Sequence, residues 1–141
     1  MEEIKQLVTK EELLEGFSVM KELRSHLEVD EYFSLLKSMI KEGYKMFGLY
    51  HSGRIVAVAG VCIMTNLYHG RHVFIYDLVT TERERSKNYG AKLLRFIEKW
   101  GAEQGAKAIA LTSGLQRLEA HRFYEKKMNF ERTSFAFKKG I

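Results

Sequence analysis

The sequence predicts a single α/β domain over residues 1–141, with a mixed, mostly antiparallel sheet, a central parallel crossover and helices on both faces. Apolar residues recur at helical spacing in four segments, and six short apolar or alternating segments are typical of strands. The run from 73 to 112 reads strand, helix, strand, which indicates a right-handed parallel crossover. The length suits one domain, and the absence of proline, repeats and low-complexity stretches argues against a flexible linker.

Local signals predict the individual elements. A strand over 4–8 leads into Thr9 and Glu12, whose spacing is that of a capping box at a helix start. A second helix is expected to begin with Asp30 as its cap and to stop near Gly43. The remaining elements are strands over 45–50 and 54–64 joined at Ser52-Gly53, a strand over 73–80, a helix over 88–104, a strand over 108–112, a helix over 116–127 and a closing strand over 130–137.

Composition narrows the classes of function. Lys and Arg number 23 and Asp and Glu 18, a net charge of +5 that favours an anionic ligand. The basic residues are interleaved with glutamates, so no nucleic-acid partner is expected. Cys62 is the only cysteine, which excludes an internal disulfide and fits a reducing, cytoplasmic compartment. No signal-peptide pattern and no membrane-spanning run is present, so no membrane partner is expected.

The segment after the strand over 73–80 has the features of a phosphate-binding loop. Successive backbone N–H groups there can converge on one point, and the dipole of the following helix adds positive potential. Gly90 supplies conformational freedom, and Asn88 is the non-glycine type that best tolerates positive φ. A tight turn with solvated basic residues explains the segment equally well. The candidate residues are Arg85, Ser86, Lys87, Asn88, Tyr89, Gly90 and Ala91.

Three stretches, DLVT, RSKNYGAKLL and SGLQRLEAHRFYEKKMNF, together resemble the GNAT superfamily of acetyl-CoA-dependent N-acetyltransferases. The family's phosphate motif is Arg or Gln, two residues, Gly, one residue, then Gly or Ala. Arg85 and Gly90 match it, and Asn88 replaces the first glycine. The family's Phe-Tyr-Glu stands at 123–125, and Asn129 replaces the glycine that follows it. The last stretch is similar to a bacterial small-molecule subgroup that includes aminoalkylphosphonate N-acetyltransferase.

The resemblance implies direct transfer of acetyl from acetyl-CoA to a primary amine in a ternary complex, without an acyl-enzyme. It implies that Tyr124 is the acid that protonates the leaving thiolate, although a packed helix aromatic explains the same residue. Asp77 is the candidate base, directly or through water, because a carboxylate in an apolar strand is costly unless paired or functional. A salt bridge to Arg71, Arg117 or Arg122 explains Asp77 equally well.

The resemblance also implies which residues contact the cosubstrate. Leu78, Val79 and Thr80 are expected to offer backbone groups to the pantetheine arm and the thioester carbonyl. The last helix and the loop before it are expected to add Ser113, Gln116 and His121 beside Tyr124.

The acceptor is expected to be a small-molecule amine. Tyr68, His69 and Arg71, with Tyr76 further along the strand, are the candidate contacts, and they suit a substrate that also carries an anionic group. His69 and His72 are three apart, but a solvated loop is favoured and no metal is predicted. Homodimer formation through the closing strand is expected by analogy. The alternatives are a protein or peptide N-acetyltransferase and a non-catalytic acyl-CoA-binding regulator.

Overall fold

The computed structural model describes all 141 residues, which form two compact units, residues 1–110 and 111–141. The elements are β1 (Glu2–Leu7), α1 (Lys10–Leu23), α2 (Val29–Lys41), β2 (Lys45–His51), β3 (Arg54–Asn66), β4 (Gly70–Thr80), a 3₁₀ turn (Glu82–Glu84), α3 (Tyr89–Glu103), β5 (Ile109–Leu111), α4 (Leu118–Arg122) and a π-helical turn (Phe123–Lys127). None of the helices combines the length and the apolar character that crossing a membrane requires.

Five strands form one sheet in the order β1-β2-β3-β4-β5. The first four are antiparallel neighbours. The β2–β3 hairpin turns at Ser52 and Gly53, both at positive φ, as the sequence predicts. β5 runs parallel to β4, and the N–H of Val73 donates to the carbonyl of Ala108 at 2.9 Å. The mixed sheet and its parallel crossover through α3 are therefore confirmed.

Helices α1 and α2 cover one face of the sheet. Leu13 and Met20 of α1 lie in one buried cluster with Tyr32 and Leu36 of α2 and with Met46 of β2. These helix positions recur four or seven residues apart, which is the spacing of an amphipathic stripe. The Tyr32 hydroxyl donates to the Leu13 carbonyl at 2.6 Å, so its polar atom is satisfied inside the core.

Helix α3 covers the opposite face. Leu93 and Ile97 are fully buried. The ring of Phe47 in β2 contacts those of Phe96 and Trp100, with centroids 5.2 and 5.3 Å apart. Because consecutive side chains of a strand point to opposite faces, β2 supplies both helical layers with apolar partners. The layer of helices on each face is confirmed.

The two N-terminal helices begin differently. The predicted capping box of α1 is present: the N–H of Glu12 donates to Thr9 Oγ1 at 3.1 Å, and the N–H of Thr9 donates to Glu12 Oε1 at 3.0 Å. The prediction that Asp30 caps α2 is wrong. The cap position is Glu28, which makes no side-chain capping bond, and Asp30 lies in the first turn. There its charge interacts favourably with the helix dipole instead.

The unit formed by residues 111–141 differs most from the prediction. The single helix predicted over 116–127 is replaced by α4 and the π-helical turn, where the N–H of Met128 donates to the carbonyl of Phe123 at 3.1 Å. The closing strand predicted over 130–137 is wrong, because the segment forms no strand. Its alternating aromatics are not buried: Phe135 is 76% exposed and Phe137 94%. Alternation predicts a strand only where a sheet covers one side of it.

Candidate active site

A β-bulge in β4 sets the orientation of the candidate base. Gly60 of β3 pairs with Asp77, and Val61 pairs with Ile75, so Tyr76 is an extra residue opposite that junction. A bulge leaves its extra residue outside the ladder and bends the strand. The side chains before and after Tyr76 therefore do not alternate between the two faces of the sheet as they do in a regular strand.

The bulge reverses which face the side chains of β4 occupy. Before it, Val73 faces α3, where its Cγ2 lies against the backbone of Gly101. After it, Val79 belongs to the cluster beneath α1 and α2, and Asp77 contacts Arg24 at the end of α1. Regular alternation would put residues 73, 77 and 79 on one face. Asp77 therefore lies on the α1–α2 side although it is four residues after Val73, because Tyr76 is not counted in the alternation.

Asp77 forms an ion pair with Arg24, the residue that follows α1. Arg24 Nε donates to Asp77 Oδ1 at 2.7 Å, and Nη2 contacts the same oxygen. Nη2 also donates to the Tyr76 carbonyl at 3.4 Å. The side chain of Asp77 is 14% exposed, whereas that of Arg24 is 45% exposed. The pair therefore holds the carboxylate in place while the guanidinium remains accessible to solvent.

The arginine partners that the sequence suggested for Asp77 are wrong, since Arg24 takes the place expected for Arg71, Arg117 or Arg122. Arg71 binds elsewhere, because its Nε donates to the carbonyl of Gln104 at the end of α3, at 2.8 Å. A basic side chain at that position also interacts favourably with the helix dipole.

A cavity of ≈ 180 Å³ lies beneath α1 and α2 and includes Asp77 and Arg24 in its lining. His26 contributes an imidazole to the lining, and the remaining lining is aliphatic, thioether or tyrosine. Tyr32 and Tyr44 contribute their rings to it. The site therefore combines a carboxylate and a guanidinium with an otherwise apolar wall.

Tyr44 is buried beside Asp77. Its ring packs edge-on against Tyr76, with centroids 5.2 Å apart. It fills the space above Gly60, where an added Cβ would lie 2.6 Å from the ring carbon Cζ. Burial raises the pKa of the Tyr44 hydroxyl well above its ordinary value, and the charge of Asp77 adds to this. The hydroxyl is therefore a neutral group near neutral pH.

The loop over 85–91 has the backbone of an anion-binding turn. Ser86 and Asn88 have φ values of 72° and 69°. A left-handed residue next to a right-handed one, as Asn88 is next to the first helical residue Tyr89, turns successive N–H groups toward one side. Helix α3 begins at Tyr89, so the N–H groups of its first turn have no acceptor within the helix. The positive φ expected at Asn88 is confirmed, whereas Gly90 lies inside α3 and Ser86 supplies the second left-handed position.

Charges around this loop are arranged about Glu84. Lys87 Nζ donates to Glu84 Oε1 at 2.9 Å, and Arg54 Nη2 donates to Oε2 at 3.4 Å. The hydrogen bond from Lys87 lowers the pKa of Glu84, and the same bond raises the pKa of Lys87. Arg85 turns back instead, and its Nε donates to the carbonyl of Thr80 at 3.1 Å. An anion bound in the loop would compete with Glu84 for Lys87.

Glu22 of α1 holds the start of this loop, and sequence reasoning missed it. The Thr81 hydroxyl donates to Glu22 Oε2 at 2.6 Å, and the N–H of Glu82 donates to Oε1 at 2.9 Å. Glu22 and Thr81 are 59 residues apart in the chain, so no local pattern marks this contact. Together with Arg24, Glu22 fixes the end of α1 to the second half of β4 and the turn after it.

The candidate backbone donors Leu78–Thr80 pair on one side with Ala57–Ala59 of β3. β5 is only three residues long, and hydrogen bonds toward it leave β4 near its beginning, at Arg71 and Val73. The other edge of Leu78–Thr80 lies at least five residues further along the strand than Val73, beyond the reach of so short a neighbour.

Two polar atoms in the unit over 111–141 are buried without a protein partner, Ser113 Oγ and His121 Nδ1. His121 Nε2 lies 2.8 Å from the Gly114 carbonyl, so Nε2 carries the proton that this bond needs and Nδ1 is left as an acceptor. Unpartnered buried polar atoms are costly unless a ligand or water satisfies them. Gln116, the third residue predicted here, is exposed.

Tyr124 is buried in the π-helical turn of the same unit. Its ring contacts those of Phe123 and Phe130, with centroids 5.3 and 5.5 Å apart. The N–H of Phe130 donates to the Tyr124 carbonyl at 2.9 Å, which folds the following segment back on the turn. Asn129 makes that reversal at φ 62°, as its place in the sequence pattern predicts.

Three of the four predicted acceptor residues lie away from Asp77. Tyr68 and His69 are in the exposed turn between β3 and β4, with ring centroids 4.5 Å apart. Arg71 is six residues before Asp77 in β4, which corresponds to about 20 Å along a strand. Tyr76 alone among the four is next to Asp77. The structure therefore does not bring these candidates together.

The sequence matches a family model described as the acetyltransferase (GNAT) family over residues 7–130. The chain is 41% identical over 139 residues to the uncharacterized N-acetyltransferase YhdJ of Bacillus subtilis (strain 168), covering 98% of both chains. It is 26% identical over 91 residues to the aminoalkylphosphonate N-acetyltransferase of Salmonella typhimurium (strain LT2), covering 64% of this chain and 58% of that one.

Solved structures show the same fold. The aminoglycoside N-acetyltransferase AAC(6')-Iy in complex with CoA is similar with a TM-score of 0.87 at 16% identity, over 100% of this chain and 95% of that one. An aminoglycoside acetyltransferase from an uncultured soil metagenomic sample, in complex with sisomicin, has a TM-score of 0.84 at 15% identity, over 99% and 96%.

Fold and sequence matches together define an acyltransferase that uses acetyl-CoA. The chain belongs to the GNAT family and is an N-acetyltransferase. Its residues fit acetyl-CoA. In the unit over 1–110, the turn with left-handed Ser86 and Asn88 has a backbone that suits a pyrophosphate. In the unit over 111–141, Ser113 Oγ and His121 Nδ1 are buried polar atoms with no protein partner, which suits contact with polar groups of a ligand.

Proposed function

We propose that this N-acetyltransferase transfers acetyl from acetyl-CoA to a primary amine of a small molecule, by direct attack in a ternary complex. The observation that carries the proposal is the carboxylate of Asp77, held by Arg24 in the lining of a cavity of ≈ 180 Å³. A cavity of this size suits a small acceptor better than the open groove that a peptide needs. A cytoplasmic location is proposed because the only cysteine, Cys62, is a free thiol.

The chemistry requires a neutral amine, since a protonated one has no lone pair to offer. When bound, acetyl-CoA supplies the acetyl group as a thioester. The amine nitrogen forms the new C–N bond as the C–S bond breaks. Asp77 accepts the proton that the nitrogen loses, directly or through a water molecule. The Tyr124 hydroxyl gives a proton to the departing sulfur, so that the thiol leaves uncharged.

The positions of the residues support the proposed binding roles. Residues 85–91 offer backbone N–H groups and the helix dipole to the pyrophosphate. Leu78, Val79 and Thr80 offer backbone groups along the free edge of β4, and Ser113 and His121 offer their unpaired atoms. An N–H near the thioester carbonyl would stabilise negative charge on its oxygen as the nitrogen attacks.

The test is calorimetric titration with acetyl-CoA, run on the wild type and on Asn88→Asp. Because Asn88→Asp adds a negative charge to the loop proposed to bind the pyrophosphate, we expect the variant to weaken binding at least tenfold. The matched control is Asn66→Asp, which keeps the side-chain oxygen that accepts from Tyr68 and His69 but lies in the other turn. No heat and no thermal stabilisation with acetyl-CoA or CoA would overturn the proposal. Tight binding without acetylation of any amine would instead indicate a regulator.

A further inference from the structure

We propose that the acceptor is an amphoteric amine: one ammonium, one anionic group beside it, and a compact apolar side chain, as in an apolar α-amino acid. This inference rests on the proposed function and names the substrate class of the same cavity. It is carried by the pairing of Arg24 with Asp77 in the lining of an apolar space of ≈ 180 Å³.

The volume of the cavity sets the size of the side chain. A dry cavity of roughly 150 Å³ holds benzene, whereas sites for drug-sized ligands run to about 300–1,000 Å³. A space of ≈ 180 Å³ therefore suits a side chain of the size of methionine, leucine or phenylalanine. Its wall includes Met20, Met39 and Met46, whose thioethers are polarisable and adapt to irregular apolar groups.

The charged side chains in the lining of the cavity determine which charged groups the substrate should carry. Its two charged groups near neutral pH are paired with each other, Arg24 Nε on Asp77 Oδ1 at 2.7 Å. A substrate with adjacent ammonium and carboxylate groups can replace this one ion pair with two, the ammonium on Asp77 and the carboxylate on Arg24. No charge is then left without a partner. His26 is the remaining ionisable group of the lining and lies on the exposed side near Arg24.

A purely cationic amine fits the Arg24–Asp77 pair poorly. It would share the single carboxylate of Asp77 with Arg24, whose two contacts are on Oδ1, and would place a second positive charge beside the guanidinium. Arg24 is 45% exposed, so its guanidinium is accessible to a substrate anion, and an ion pair with that anion offsets the loss of its contact with Asp77. Asp77 is held by the strand and keeps the ammonium near the place where the proton must be accepted.

Some of the proteins similar to this chain are named for other amines, and the lining of the cavity distinguishes those amines from the proposed acceptor. A polycationic aminoglycoside brings several positive charges to Arg24 and has no apolar side chain for the wall of this cavity. An aminoalkylphosphonate carries the amine and the anion but can lack the apolar side chain. Carboxylate and phosphonate are therefore two sources of the same anionic group, and the assay must separate them.

The experiment compares matched acceptors by kcat/KM with saturating acetyl-CoA. The pairs are L-phenylalanine with phenethylamine and L-methionine with 3-(methylthio)propylamine, which differ only in the carboxylate. Glycine, 2-aminoethylphosphonate and sisomicin complete the set. Because a charged hydrogen bond contributes about 1.5–3 kcal/mol, we expect each amino acid to exceed its amine by about tenfold or more. Equal or faster acetylation of the amines, or a preference for glycine, 2-aminoethylphosphonate or sisomicin, overturns the inference.

Variants at Arg24 test the same point independently. We expect Arg24→Met to abolish the tenfold preference for the amino acids, and Arg24→Lys to retain part of it. The matched control is Arg95→Met, which removes an exposed arginine of α3 that forms no ion pair. An unchanged preference in Arg24→Met overturns the inference.

A measurement of acetyl-CoA binding shows whether the substrate class or the proposed function is wrong. If acetyl-CoA binds and the acceptors are neither acetylated nor bound, the substrate class is wrong. If acetyl-CoA does not bind, the proposed function itself is wrong.

Discussion

Tyr124 combines burial with an ionisable hydroxyl, and removing only that hydroxyl tests its role. We expect Tyr124→Phe to lower kcat by about 10²–10⁴, the usual range for a general acid, because the ring contacts with Phe123 and Phe130 persist. The Kd of acetyl-CoA should stay unchanged in calorimetry. The control is Tyr68→Phe in the exposed turn, which should keep wild-type kcat. Full activity of Tyr124→Phe would show that the tyrosine only packs.

Gly60 has no room for a side chain, since an added Cβ would lie 2.6 Å from Tyr44 Cζ. We expect Gly60→Ala to lower the free energy of unfolding by about 1–3 kcal/mol, the usual cost of overpacking. Urea unfolding measures it. In a double-mutant cycle, Tyr44→Leu should relieve part of the cost, because it withdraws the ring from this space. Wild-type stability of Gly60→Ala would show that Tyr44 can move away freely.

At the residue scale, the sequence identified Asp77 but not what surrounds it. A lone carboxylate in an apolar strand stands out by its chemistry alone. Its partner Arg24 lies 53 positions earlier and does not stand out, because most exposed arginines look alike in a sequence. The same holds for Glu22, whose role depends on a contact with Thr81 that only the folded chain creates.

Helix α1 depends on its capping box, and this contact is sensitive to pH. Hydrogen bonds from the backbone of Thr9 and Val8 lower the pKa of Glu12 to about 2. A group whose pKa falls on folding adds stability that is complete above its unfolded pKa, about 4.5, and is lost as the pH falls toward 2.

We expect Glu12→Gln to lower the Tm at pH 7 and to reduce the further loss of Tm between pH 5 and pH 3. The control is Glu11→Gln, the neighbouring glutamate, which does not cap the helix. Thermal unfolding at several pH values measures both effects. An identical pH dependence in wild type and Glu12→Gln would contradict the linkage.

Elements with a strong local signal were predicted, and those that depend on distant partners were not. The hairpin at Ser52-Gly53 and the start of α1 carry their own turn and cap residues. The segment over 130–137 shows strand-like alternation, but it forms no strand, and its aromatics Phe135 and Phe137 are exposed. The bulge at Tyr76 has no marker such as glycine, so the face of Asp77 could not be predicted.

The whole chain carries a net charge of +5, and its two ligands should respond differently to salt. Acetyl-CoA is a polyanion, so screening should weaken its binding several-fold between 50 and 500 mM NaCl, as the Debye length falls below about 10 Å. An amphoteric acceptor has no net charge, and its KM should change much less. Calorimetry and initial rates measure the two dependences. Equal salt dependence for both ligands would contradict this prediction.

The order of strands and helices was predictable for most of the chain, because each connection is short and the crossover has one favoured hand. The cavity was not predictable. It forms where the end of α1, the middle of α2 and the bulged part of β4 meet, and none of these segments marks it alone. The acceptor residues expected in the turn at 68–71 were chosen for their chemistry, and in the folded chain they lie away from Asp77.

The bulge at Tyr76 also changes how insertions and deletions in this strand should be interpreted. A lost residue in a central strand normally exchanges the buried and outward sets of side chains from that point on. Loss of residue 76 would instead leave every cross-strand partner of Ile75 and Asp77 as it is. A one-residue gap at this position in a related sequence is therefore compatible with the same orientation of the Asp77 carboxylate.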